Sequence, residues 1–130
     1  MIPPNNPLQA KGGFAHMEQR AIFIVRSSIS PEKEEAFNRW YNEDHFQKVI
    51  KSPGVIRGAR YKILQTGGAN LRSKIEGEER FRYMAIYEHE SWANIEKRIK
   101  GGQLDSMVAE FTAAWPESER LWIKAVQIFP

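Results

Sequence analysis

Tyr41, Asp44 and His45 stand together in "RWYNEDH" (39–45), and each can hold or move a proton. An imidazole titrates near neutrality, so it can take a proton from an acidic carbon or phenol and return it. His45 is therefore the candidate general acid/base. Tyr41, four residues earlier, shares its helix face, whereas the adjacent Asp44 projects ~100° away. A second group sits in "FRYMAIYEHE" (81–90), where Tyr83, Tyr87 and His89 alternate to one strand face. Trp40 adds aromatic surface, and Arg57 and Arg60 can orient a carboxylate or a phenolate. Such a set suits a small hydrophobic or aromatic ligand and proton-transfer chemistry on it.

Each residue also has a plainer role. Trp40, with Phe37, is of a type and spacing that fills cores. Asp44 can cap the helix–strand turn or pair with Arg57 or Arg60. His45 can make a structural hydrogen bond near a helix C-terminus, and His89, between Glu88 and Glu90, can end a strand at the surface. Arg57 and Arg60 can be solvated sheet-edge residues.

Composition removes other chemistries. The 130 residues carry 19 basic and 16 acidic side chains, a net charge of +3 with no clustered basic run, so no nucleic-acid partner is expected. Without cysteine there is no disulfide, thiolate nucleophile or cysteine metal site. Past residue 17 the only histidines are His45 and His89, with no His-x-His or His-x-x-x-His pair, so no metal is expected. No P-loop or Gly-x-Gly-x-x-Gly motif points to a nucleotide. No run approaches 18 apolar residues, and the reading is a cytoplasmic protein without a membrane partner and without a bound cofactor.

The elements that must position these groups follow from periodicity. Residues 1–17, rich in Pro, Asn and Gly, are expected to be a disordered arm or an expression remnant, and residues 18–130 one folded domain. Residues 19–29 read as a strand. Ser30 and Pro31 open a helix, Glu32, Glu34 and Glu35 suit its dipole, and Pro53-Gly54 ends the region. Its stripe is expected to hold Ala36, Phe37, Trp40 and Asp44, with Tyr41 and His45 along the edge. Strands follow at 55–64 and 81–90, separated by a long polar hairpin loop at 65–80. Ser91 caps a short helix, interrupted at Gly101-Gly102. A further helical segment carries Leu104, Val108, Phe111 and Trp115, and a strand at 119–129 closes the chain.

The order β-α-β-β-α-β defines an α+β fold of ferredoxin-like type, a four-stranded antiparallel sheet with its helices on one face. That topology brings His45, the start of the second strand and His89 to one end of the sheet. Strands 3 and 4 are apolar on both alternating sets, which predicts a second copy packed sheet to sheet as a homodimer. If the Tyr83–Tyr87–His89 face lines the interior between the two sheets, those residues project into a cavity there.

"FNRWYNEDHFQKVIKSPGVIRGARY" (37–61) resembles the helix-1/strand-2 signature of the dimeric α+β barrel superfamily, in particular its EthD-like branch. The shared pattern is an aromatic-rich helix, an acid-His pair, Pro-Gly and an Ala-Arg-aromatic strand, and the element order extends the likeness over 19–129. The resemblance implies a dimeric α/β barrel with an activity among cofactor-independent cyclases, decarboxylases, isomerases and monooxygenases. Haem-degrading monooxygenases and non-catalytic small-molecule-binding dimers are the alternatives. Many EthD-like sequences have Pro two residues after the His. Here Gln47 lets the helix run on.

Overall fold

The computed structural model describes residues 16–75 and 78–130. Four strands, β1 (Ala21–Ser27), β2 (Val55–Lys62), β3 (Tyr83–His89) and β4 (Arg120–Val126), form one antiparallel sheet in the order β2-β3-β1-β4. The central pair, β1 and β3, is rich in Ile, Val and Tyr, residues that pack well on a pleated surface. The first crossover holds α1 (Glu34–Trp40), a π turn (Tyr41–His45) and α2 (Phe46–Ile50). The second holds α3 (Trp92–Lys100) and α4 (Gln103–Ala114). This is the expected β-α-β-β-α-β ferredoxin-like architecture.

Ser91 caps α3 as expected, its hydroxyl accepting from the Asn94 amide at 3.1 Å. Between α3 and α4, Gly102 adopts φ 80°, a left-handed conformation that costs glycine little. Gly58 solves a packing problem. A Cβ there would stand 2.9 Å from Tyr87 and 3.0 Å from Ile50, so its absence lets α2 sit close upon β2 and β3.

The helix of the first crossover departs from its expected stripe. The Phe46 amide donates to the Tyr41 carbonyl, five residues back, which widens one turn. Phe37, Tyr41, His45 and Val49 form the buried ridge, at a spacing of four. Ala36 is exposed and Asp44 half-buried on the outside. With Gln47 in place of Pro, α2 continues to Ile50.

Register assigns the sheet's two faces. Tyr83, Ala85, Tyr87 and His89 lie opposite Ser27, Val25, Phe23 and Ala21, and all face the helices. Phe37 is fully buried at the centre, with Tyr41, Tyr83, Phe111 and Trp115 rings 5.3–5.9 Å from its own. The other face carries Ile22, Ile24, Met84, Ile86 and Ile123, and one row, Ala59–Ile86–Ile24–Ile123, crosses all four strands. Among the described residues no element covers it.

The expectation that residues 1–17 are an unstructured arm or remnant falls mainly on 1–15, which lie outside the described residues. Of the remainder, Met17 is held by the Ala93 amide, which donates to its carbonyl at 3.1 Å.

Candidate functional site

A cavity of about 350 Å³ opens between the helix-facing side of the sheet and the helices. Its apolar wall comes from Phe23 and Trp122 on the sheet and from Leu104, Met107, Val108 and Phe111 on α4. Its polar groups are His45, Tyr87, His89, Arg98, Ser118 and Arg120. Among the described residues none of the lining is an acid. This placement corrects one expectation: Tyr87 and His89 project under the helices, not into the space between two sheets. Period-two alternation says which residues share a face and leaves open which layer covers it.

His45 reaches the cavity from the π turn and is 7% exposed. Its ring stacks on Trp40 at 5.1 Å and 14°, and meets Tyr41 and Phe111 edge-on at 5.0 and 5.5 Å. Loss of hydration in this aromatic box outweighs the fields of Glu110 and Asp44 and lowers the imidazole to about 4. It is neutral at pH 7. Among the described residues no group hydrogen-bonds its ring, and Nδ1 is buried without a partner.

His89 ends β3 at the same end of the sheet and is 2% exposed, not a surface strand end. Its Nε2 lies 2.9 Å from Arg98 Nη1, and its Nδ1 lies 3.3 Å from the Tyr87 carbonyl. A guanidinium only donates, so Nε2 must accept and the proton sits on Nδ1. Burial first, then the Arg98 charge, lowers His89 to about 4, consistent with that neutral tautomer. The Tyr87 hydroxyl donates to that of Tyr41 at 3.3 Å, and burial pushes both phenols above their ordinary range.

The remaining candidates stand elsewhere. Tyr83 and Trp40 pack in or against the core and do not line the cavity, although Trp40 supports the His45 ring. Asp44 pairs with Lys48, one turn on at 3.3 Å, rather than with Arg57 or Arg60, because it points outward from the helix. Arg57 lies on the opposite sheet face, bound to Glu88 at 2.6 Å with Arg20 on the same carboxylate. Arg60 lies 3.9 Å over the Tyr41 ring and donates to Asn42 and Asn38.

Arg98 and Arg120 were not anticipated. Arg98 follows Ile95 by three residues, so the helical period puts it on the buried face of α3, a signal present in "NIEKRIK". Leu104, Val108 and Phe111, identified by spacing as a helical stripe, line the cavity, and of the three only Phe111 also belongs to the core.

No family model matches the chain, and no curated protein matches it significantly. Solved structures do. An EthD family protein from Bacillus halodurans superposes with TM-score 0.61 at 11% identity, covering 83% of this chain and 99% of that one. A protein described as a dimeric ferredoxin-like protein, from an uncultured marine organism, superposes with TM-score 0.58 at 15% identity, over 86% and 97%. A protein named as a candidate antibiotic biosynthesis monooxygenase, from Nitrosomonas europaea, gives 0.52 at 17%, over 87% and 94%. The chain thus has the ferredoxin-like fold that these solved structures share. Among the described residues no cluster of three potential metal ligands occurs, and no helix is long and apolar enough to cross a membrane.

Proposed function

We propose that the protein is a homodimeric enzyme that transfers protons on a small hydrophobic or aromatic metabolite, with His45 as the base and no resident cofactor. The observation that carries this reading is a neutral imidazole, unpartnered among the described residues, in the wall of a largely apolar cavity. With a conjugate acid near 4, His45 has the basic strength of a carboxylate, the range used elsewhere by aspartate bases toward activated C–H groups. The Trp40, Tyr41 and Phe111 rings fix its plane, so little reorganisation precedes proton transfer. Tyr41 acts by holding His45 and the Tyr87 hydroxyl. Asp44 acts through its field alone, favouring the imidazolium that forms. Cyclisation, decarboxylation, isomerisation and oxygen insertion can all start from such a deprotonation.

Homodimerisation is proposed on two grounds: the bare apolar row Ala59–Ile86–Ile24–Ile123, and the description of a similar structure as dimeric. The test of catalysis is deuterium uptake from D2O into the acidic carbon of a panel of anthrones and 1,3-dicarbonyls. The wild type should catalyse exchange on at least one member. His45→Ala should lose roughly 10²–10⁴ in rate while keeping its melting temperature within a few degrees. Exchange unaffected by His45→Ala, or absent throughout the panel, would overturn the assignment.

A further inference from the structure

Arg98 is the least expected group in the cavity wall. It is 4% exposed, although arginine is almost never fully buried unless paired. Nη1 donates to the neutral His89, while Nε and Nη2 have no partner among the described residues. No described carboxylate pairs with it. Arg120, the second guanidinium of the cavity, is held by the Thr112 hydroxyl at 2.6 Å and the Val108 carbonyl at 3.5 Å, again without an acid. Two cations therefore share a cavity to which the described residues supply no counter-charge.

A buried ion is tolerated where something compensates it. His89 compensates one N–H of Arg98 and contributes no charge. Its Nδ1 proton is committed to the Tyr87 carbonyl, so Nε2 presents a lone pair to Arg98 and fixes the guanidinium's position. Apart from His45, Tyr87 and Ser118, the rest of the wall is aromatic and aliphatic, with Phe23, Trp122, Leu104, Met107 and Phe111 among it. A guanidinium in the wall of a largely apolar box matches a planar molecule ending in a carboxylate.

We infer that Arg98, positioned by His89 and supported by Arg120, is an anion-recognition group of this cavity, and that its ligand is a small aromatic or hydrophobic carboxylate. This deepens the proposed function, whose substrate would then carry an acid group bound on the Arg98 side. His89 is a positioning residue here, since it acts through Arg98.

The test compares 2-naphthoate with 2-naphthamide, which share shape and differ in charge, by isothermal titration calorimetry at pH 7.5. The wild type should bind the carboxylate roughly tenfold or more tightly than the amide, the scale of a charge-assisted contact in a dry site. Arg98→Met should reduce that preference to about twofold or less, and Arg98→Lys should keep part of it, a charge without the fork. Arg98→Met should also melt no lower than the wild type, because an unpaired buried cation is replaced by an apolar chain of similar length. Should Arg98→Met fail to fold, the wild-type comparison and Arg98→Lys decide. Equal affinity for both probes, or an unchanged preference in the Arg98 variants, overturns the inference and leaves the His45 assignment standing. Binding of neither probe overturns the inference; the deuterium-exchange assay then decides separately on His45.

Discussion

The two faces of the sheet are both apolar, and the proposed function gives them opposite uses. The helix-facing side carries Tyr83, Tyr87, Phe23 and Val25 and meets α1, α2 and α4, yet leaves a cavity beside its core. The other side carries Ile22 and the continuous row Ala59–Ile86–Ile24–Ile123, with Ile123 39% and Tyr61 51% exposed. Polar groups divide them. On the covered side, two histidines and two arginines sit in the cavity wall, and none of the described lining residues is an acid. On the open side, Glu88 is held between Arg20 and Arg57, an ion-paired cluster whose carboxylate is kept below its ordinary range mainly by Arg57. A surface meant for another protein surface is apolar with its charges paired. A pocket meant for a ligand has polar groups left unpaired.

Acid is the broadest way to break the comparison, because it acts on the covered side. Folding holds His45 and His89 near 4, below the ordinary 6.5, so the unfolded chain binds more protons between those values. Stability contributed by the two neutral rings is intact above pH 6.5 and is lost as pH falls toward 4. The loss approaches two protons in slope and amounts to several kcal/mol, on the order of 1.4 per pKa unit per site. Chemical denaturation from pH 7 to 4 checks this, and His45→Gln should roughly halve the slope.

Removing the central ring of the covered side is next in size. Phe37→Ala should cost about 3–5 kcal/mol, because Phe37 is fully buried among rings that cannot collapse into the space. Urea unfolding at pH 7 measures it. On the open face a charge should act on assembly and leave folding nearly intact. Ile123→Asp should raise the dimer dissociation constant by roughly a hundredfold, read by sedimentation. The buried interface in the wild type should exceed about 1,200 Å². A wild type that is monomeric at micromolar concentration would remove the open face from the account. The smallest effect belongs to Asp44→Asn, which loses a half-exposed pair with Lys48 and should cost less than ~0.5 kcal/mol.

Much of this was legible before any coordinates. Strands showed as β-branched alternation, the helix start as Ser30-Pro31, and the right-handed crossovers then brought His45 and His89 to one end of the sheet. The site was less legible, for physical reasons. The π turn at Tyr41–His45 leaves no propensity signature, since it is selected by packing Phe37, Tyr41, His45 and Val49 against the sheet. Arg98 sits among Glu96, Lys97 and Lys100, and reads as one more solvated charge unless its three-residue spacing from Ile95 is weighed. Asp44 drew attention by standing beside His45, but helical neighbours diverge, and its partner was one turn away in Lys48.

The central claim is that a ligand enters the space under the helices and not the space between two sheets. Methyl-labelled protein titrated with 2-naphthoate separates the two by NMR. Leu104, Met107, Val108 and Val25 report on the cavity, and Ile22, Ile24, Ile86 and Ile123 on the open face. The account predicts large ring-current shifts for the first set and almost none for the second. Shifts confined to the isoleucines of the open face would contradict it.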